Sequence, residues 1–192
     1  MVTFQHCRIS GRWSVVTTSS RPPVFLMIYS LSRTWLLWID CIPNQLFINC
    51  TDIFYVDISN NKLESIPPQI RRLVNLQVLV VNNNPLFLSQ FRQIAVLCNL
   101  ETFHMRNTQR TLTNFPAGLE NCANLTDIDV SENKLPRVPD TLYKVKTLKR
   151  LNLSSNEITE LSSLVGKFSV GSHFLIICCF GSTSVHALEV WP

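Results

Sequence analysis

Glycine is scarce in this sequence: only five glycines occur among 192 residues. Phosphate-binding loops of the GxGxxG or GxxxxGKS/T kind need several glycines, because the backbone must approach the phosphate closely, and neither motif occurs. The GxSxG nucleophile motif is also missing, and the four histidines lack the spacing of metal ligands. The expectation is a chain that is not an enzyme and takes no cofactor or metal.

Charge is also sparse. Charged residues make up 16% of the chain, and the net charge is +4. The positive excess lies in the first 41 residues, where Arg8, Arg12, Arg21 and Arg33 face a single acid, Asp40. Nucleic-acid binding requires a clustered basic patch rather than scattered arginines, so no nucleic-acid partner is expected.

The cysteines and the apolar segments indicate the cellular compartment and whether a membrane is a partner. Seven cysteines occur without a CxxC pair, which argues against a disulfide framework and favours a reducing, intracellular compartment. No continuous apolar segment of the signal-peptide kind follows the N-terminus. The apolar stretch 24–39 is broken by Arg33, and the cluster FLIICCF has seven residues, far fewer than the roughly 20 that span a membrane. A membrane is not expected as a partner.

A repeat with a period of about two dozen residues is present in the middle of the chain. Asn61, Asn84, Asn133 and Asn156 are each followed two residues later by leucine or isoleucine, at separations of 23, 49 and 23. The long interval holds two units, and Thr108 takes the asparagine position between them. The five units begin at Ile53, Leu76, Leu100, Leu125 and Leu148.

Each unit follows the pattern LxxLxLxxNxLxxLP, which is the leucine-rich repeat. Its LxL part has a period of two and predicts a short strand, while LPxxLxxL has a spacing of three and suits a short helix or 3₁₀ turns. One unit cannot bury its own apolar face, but stacked units share a continuous core. The pattern therefore predicts an α/β solenoid of about five units, with a parallel sheet on its concave face and 3₁₀ or short helical segments on its convex side.

The repeat divides the chain into three parts: an N-terminal tail (1–38), the array (39–166) and an apolar C-terminal tail (167–192). Upstream, Ser32, Thr34 and Leu37 occupy positions where the repeat requires Leu, Leu and Asn. Gly166 and Lys167 can be encoded by GGTAAG, which contains the start of an intron, so one interpretation is that the tails are translated non-coding sequence. The other is a truncated isoform with a membrane-seeking tail. Neither end of the array has a recognisable cap, so both ends are expected to be open.

The concave strand residues are the candidate site. Alternate residues of each predicted strand face outward, and they combine apolar groups with charges of both signs, which is typical of a protein interface. Asp127 and Asp129 are paired carboxylates, which we interpret as a solvated acidic patch rather than as an acid–base pair. The candidate partner-binding residues are Tyr55, Asp57, Val80, His104, Arg106, Asp127, Asp129 and Arg150.

Three segments carry a closer resemblance: ISNNKLESIPPQIRRLVNLQVL (58–79), NTQRTLTNFPAGLE (107–120) and LKRLNLSSNEITEL (148–161). They resemble the leucine-rich half of flightless proteins, which are actin-remodelling members of the gelsolin superfamily. The resemblance implies a protein-interaction module whose partners are Ras-type GTPases or coiled-coil proteins, located in the cytoplasm, on the cytoskeleton or in the nucleus. Gelsolin-like domains, which carry most actin binding in that family, are absent from this sequence, so actin is expected only indirectly. The alternative is a fragment without independent function.

Overall fold

The computed structural model describes residues 53–87 and 91–159 with their side chains. Five flanking strands are described as backbone: β1 (Phe4–Ile9), β2 (Trp13–Thr18), β3 (Val24–Ser30), β9 (Phe174–Phe180) and β10 (Ser184–Val190). The predicted tail and array bounds at 38/39 and 166/167 fall outside the described residues and stay predictions.

Each unit contributes one short strand to a parallel sheet. The strands are β4 (Ile53–Asp57), β5 (Val78–Val80), β6 (Thr102–His104), β7 (Asp127–Asp129) and β8 (Arg150–Asn152). Every strand pairs in parallel with the next one along the chain. The strands are short because only the LxL part of each unit has a period of two. The predicted sheet of five repeat strands is confirmed.

The return segments contain 3₁₀ helices, in agreement with the predicted spacing of three. They are η1 (Pro68–Arg72), η2 (Arg92–Val96), η3 (Leu119–Asn121) and η4 (Leu142–Lys144). Pro68 begins η1, where the N–H that proline lacks would have had no partner inside the helix. Neighbouring 3₁₀ helices pack against each other in chain order, η1 on η2, η2 on η3 and η3 on η4.

The leucine positions of successive units stack into one core between the sheet and the 3₁₀ helices. In the fourth unit the seven aliphatic residues of the pattern are buried, with exposures of 0–3%: Leu125, Ile128, Val130, Leu135, Val138, Leu142 and Val145. Phe91 and Phe103 meet edge to face in the middle of this core, with ring centroids 5.4 Å apart. Cys122 occupies a leucine position and is 1% exposed, and burial raises the pKa of its thiol to about 11, as expected of a small buried apolar residue.

The repeated asparagine joins one unit to the next. The Asn133 amide nitrogen donates to the carbonyl oxygens of Met105 (3.0 Å) and Val130 (2.8 Å). Its amide oxygen accepts the N–H groups of Thr108 (3.0 Å) and Arg110 (2.8 Å) in the preceding unit. The asparagine therefore satisfies backbone groups at the end of its own strand and in the preceding unit.

The residue before each asparagine position turns the chain with a positive φ. The five turn residues are Asn60 (57°), Asn83 (54°), Asn107 (50°), Glu132 (54°) and Ser155 (53°). Asparagine tolerates this left-handed conformation better than other residues that carry a Cβ. The first three units therefore have a favourable residue at the turn and the last two do not.

The sheet does not end with the array. β3 pairs in parallel with β4, and β9 pairs in parallel with β8. β1–β2–β3 and β9–β10 are antiparallel, unlike the repeat strands. The expectation of two open sheet edges is therefore wrong for the backbone, because an extended segment can satisfy the unpaired N–H and C=O groups of an edge strand without obeying the repeat. Within the described residues, no helix is long and apolar enough to cross a membrane.

Candidate interaction surface on the concave sheet

The outward side chains of the five repeat strands form three rows across the concave face. The register between neighbouring strands and the hydrogen bonds beyond them place equivalent residues side by side. The rows are Tyr55–Val78–Thr102–Asp127–Arg150, Asp57–Val80–His104–Asp129–Asn152 and Ser59–Asn82–Arg106–Ser131–Ser154. All eight candidate residues lie in these rows, so the structure brings them onto one surface, which we call the concave surface.

Asp127 is the centre of a charged network that joins three strands. Its Oδ2 accepts a hydrogen bond from Arg150 Nη2 at 2.5 Å, and its Oδ1 lies 3.5 Å from His104 Nε2. The Asp127 side chain is 15% exposed, whereas that of Arg150 is 67% exposed. Most of the arginine side chain is therefore exposed to solvent, while the aspartate holds one end of it in place.

Asp129 has a separate set of partners. Its Oδ1 accepts the N–H (2.8 Å) and the hydroxyl (2.6 Å) of Ser131, and its Oδ2 accepts the amide of Asn152 at 3.1 Å. Asp57 similarly accepts the N–H of Ser59 at 2.9 Å. Both carboxylates therefore order the ends of their own strands. The interpretation of Asp127 and Asp129 as a solvated acidic patch rather than an acid–base pair stays a prediction.

Arg106 lies at the end of β6 and pairs with an acid of the next unit. Its Nη2 is 2.5 Å from Oε1 of Glu132, and the two side chains are 50% and 40% exposed. The hydrogen bond and charge of Glu132 raise the pKa of Arg106 above its usual value. Exposed ion pairs contribute little to stability, so Arg106 can exchange this acid for a carboxylate of a partner at small cost.

The apolar part of the surface lies on the first two repeat strands. Tyr55, Val78 and Val80 are half-buried side by side on β4 and β5. Part of each valine is covered in the sheet. The surface thus has an apolar half on β4 and β5 and a charged half on β6, β7 and β8.

Sequence reasoning missed two features at the margin of this surface. Exposed Asn83 donates its amide to Asn60 at 2.8 Å, and Asn107 donates to Asn83 at 3.1 Å, so the turn residues form a second asparagine ladder. Glu132 takes the equivalent turn position and was missed as the partner of Arg106. The signal was present, since these four residues recur immediately before the buried asparagine position.

Groups of three or more potential metal ligands do not occur among the residues described with side chains. The polar groups of the concave surface bond to one another, as His104 and Arg150 do to Asp127 and as Asn152 does to Asp129. The arrangement is suited to contacting another macromolecule over a broad face.

Comparison with known proteins also indicates a leucine-rich repeat array. The Leucine Rich Repeat family pattern matches residues 147–168. The flightless-1 homologue of Caenorhabditis elegans is 47% identical over 126 residues, covering 66% of this chain and 10% of the homologue. The mouse homologue is 57% identical over 105 residues, covering 55% and 8%. A solved leucine-rich repeat protein of Leptospira interrogans is 27% identical with a TM-score of 0.59, covering 66% of this chain and 31% of that one.

The chain thus spans a tenth or less of the length of these two flightless-1 homologues. Its fold and its sequence nevertheless agree, because the solved relative is a leucine-rich repeat protein and the family pattern falls within the fifth unit and beyond. The array is a leucine-rich repeat solenoid, similar in sequence to flightless-1 proteins.

Proposed function

We propose that the array is a protein-binding module and that its contact surface is the concave surface. The observation that carries this proposal is the continuity of the three side-chain rows over five strands. A half-buried apolar patch beside ordered charges is the composition of protein interfaces. The leucine-rich repeat fold and the similarity to flightless-1 point to a non-catalytic interaction domain.

The proposed partners are a Ras-type GTPase or a coiled-coil protein. The concave surface and its margin carry four acids, Asp57, Asp127, Asp129 and Glu132, and two arginines, so their net charge is −2 with His104 neutral. Complementary charge favours and orients association, so the contacted face of the partner is expected to carry an excess of lysine and arginine. Coiled coils present such residues at their flanking positions.

The proposed location is the cytoplasm, with the cytoskeleton or the nucleus as alternatives. Actin contact is proposed only through the partner, since this chain matches a tenth or less of the flightless-1 homologues. The rival hypothesis, a fragment without independent function, makes the opposite prediction for the same binding experiment.

The test is calorimetric titration of the chain with a purified Ras-type GTPase and, separately, with a purified coiled-coil protein. Tyr55→Ala and Asp57→Lys should each weaken binding about tenfold or more, because a few aromatic and charged residues dominate interface energies. Glu120→Lys, an exposed residue of η3 outside the concave surface, is the matched control and should bind as the parent does. Equal loss in all three variants, or no binding of either partner, would contradict the proposal.

A further inference from the structure

A second surface lies beside the 3₁₀ helices, away from the concave rows. It is a groove of about 380 Å³ between the start of η2, the segment that precedes η3 and the segment that precedes η4. The residues used below are Arg92, Leu112, Phe115, Arg137, Pro139 and Asp140. None of them belongs to the concave surface, and the proposed partner contact does not use them.

The groove exists because the third unit is irregular. This unit has 25 residues from Leu100 to Leu125, compared with 23 in the first and fourth, and the added length lies in the segment that forms one groove wall. Arg110 anchors that segment: its side chain is completely buried and its guanidinium lies 4.9 Å from the centre of the Phe91 ring. The guanidinium also donates to the carbonyl of Asn114 at 2.9 Å.

Two further backbone carbonyls hold the same guanidinium. It donates to Thr108 O at 3.2 Å and 3.1 Å, and also to Leu86 O in the second unit. The loop that builds the wall is therefore fixed to the core by one buried cation. A groove held in this way is preorganised, so binding would require little further ordering of its own backbone.

The chemistry of the groove is divided between its floor and its rim. Phe115 and Pro139 are buried in the floor, and Leu112 packs against the core while remaining partly exposed. At the rim, Arg137 and Asp140 pair at 2.9 Å, with 56% and 61% of their side chains exposed. Arg92 is exposed and makes no ion pair with any residue that the structure describes with its side chain.

The charges that line the groove therefore sum to +1, and the uncompensated one is Arg92. The 3₁₀ helix η1, which packs on η2, ends in two more exposed arginines. A ligand that places a carboxylate against Arg92 and an apolar side chain on the floor satisfies both parts of the groove. Arginine binds a carboxylate through two parallel hydrogen bonds, which adds geometric selectivity.

We propose that this groove is a second docking site, which binds an extended peptide segment of a partner protein carrying an aspartate or glutamate next to an apolar side chain. The carboxylate pairs with Arg92, and the apolar side chain covers Leu112 and Phe115. The array then holds two chains at once, a cationic face on the concave surface and an acidic segment in the groove.

The experiment begins with selection of random twelve-residue peptides displayed on phage against the full 192-residue chain, with the Arg92→Glu variant as the counter-target. The enriched sequences should contain Asp or Glu beside Leu, Ile, Phe or Val. One selected peptide, labelled with a fluorophore, is then titrated by anisotropy against the parent and the variants. Circular dichroism spectra of each variant verify that the fold is kept.

Arg92→Glu should lower the affinity for the peptide at least tenfold. For a peptide in which the acid is replaced by its amide, the parent and Arg92→Glu should differ much less in affinity. Arg71→Glu, which reverses an exposed arginine of η1 outside the groove, should change the affinity less than twofold. Higher salt should weaken parent binding, since the contact is an exposed ion pair.

Four outcomes would overturn the proposal. In the selection, these are enrichment of basic or purely apolar peptides, or no enrichment at all. In the titration, the third is an equal loss of peptide affinity in the Arg92→Glu and Arg71→Glu variants, and the fourth is concentration-dependent self-association of the chain that Arg92→Glu abolishes. The last of these would assign the groove to a second copy of the chain. Loss of peptide binding in the Tyr55→Ala variant would place the peptide on the concave surface. That result would contradict the groove proposal without contradicting the proposed function of the concave surface.

Discussion

Replacing Arg110 by methionine removes a buried cation while keeping most of the side-chain volume. The arginine is 0% exposed and donates to three backbone carbonyls, those of Leu86, Thr108 and Asn114. Methionine can fill the space beside the Phe91 ring, but it donates no hydrogen bond. The variant therefore isolates the hydrogen bonds from the packing.

The expected change in the free energy of unfolding follows from the three carbonyls that lose their hydrogen-bond donor. Each buried polar group left unsatisfied costs about 1–3 kcal/mol, so three such groups set an upper range of several kcal/mol. Methionine offsets part of this free-energy cost, because its burial does not require a guanidinium to be taken out of water. We expect the free energy of unfolding to fall by about 2–4 kcal/mol, a large share of the roughly 5–15 kcal/mol of an ordinary domain.

The pH dependence gives an independent check on the same residue. Burial lowers the pKa of Arg110 to about 10, so the guanidinium is charged in both the folded and the unfolded chain from pH 6 to pH 9. The difference between parent and Arg110→Met should therefore be constant across that window. Above about pH 10 the folded parent releases this proton before the unfolded chain does, so the folded state gains stability from this group as the pH rises further.

The assay is urea unfolding followed by circular dichroism at pH 6, 7.5 and 9, with linear extrapolation to water. The matched control is Arg92→Met, which removes an exposed arginine close to the same segment and should change stability by less than about 0.5 kcal/mol. If Arg110→Met unfolds at the same urea concentration as the parent, the carbonyls do not depend on this side chain and the anchoring argument is refuted.

Three further substitutions test other parts of the array in the same unfolding assay. Ile128→Ala should cost about 2–5 kcal/mol, because Ile128 is completely buried; a loss below 1 kcal/mol would refute its core position. Gly118→Ala should cost about 1–3 kcal/mol, since φ is +82° and a Cβ would lie 2.8 Å from a neighbouring side-chain carbon; an unchanged midpoint would contradict this geometry. Ser155→Asn should stabilise by roughly 0.5 kcal/mol, because asparagine tolerates the left-handed φ of 53°, whereas the exposed control Thr159→Asn should not, and equal gains in both would point to a cause other than the turn.

The core could be predicted from the sequence because the repeat restricts it so strongly. A residue such as Val130 is inward for two reasons at once, its place in the LxL strand and its equivalence to Ile58 in the first unit. Both are buried, as predicted. The outward rows were predictable for the same reason, since alternation along a strand leaves no third choice.

The pairing within the rows was not predictable in the same way. Arg106 could have bonded to Asp129 in the neighbouring strand, yet it bonds to Glu132, the residue at the left-handed turn of the next unit. Such contacts depend on side-chain reach across units, which a one-dimensional pattern does not contain. The burial of Arg110 was hidden too, since an arginine in a loop ordinarily indicates an exposed residue.

One substitution in the repeat accounts for much of this irregularity. In the regular units the asparagine oxygen accepts an N–H from the unit before, as Asn84 does from Leu63 at 3.1 Å and Asn156 from Leu135 at 3.1 Å. Thr108 stands at that position in the third unit, and its hydroxyl donates a hydrogen bond to Met105 O at 2.7 Å. The N–H of Leu86, which is equivalent to that of Leu63, donates within its own unit instead, to Asn84 O at 2.9 Å.

The tie between the second and third units is then made by a different group. Arg110 lies two residues after Thr108, and its guanidinium reaches the carbonyl of Leu86 across the junction where the asparagine ladder is interrupted. An arginine extends much further than an asparagine, so the chain around it must leave the regular path, and the longer third unit provides that path. The same detour carries Leu112 and Phe115 to the groove wall. The third unit thus loses one amide from the ladder, gains a buried cation in its place and is two residues longer than the first and fourth units. These three features are parts of one structural change.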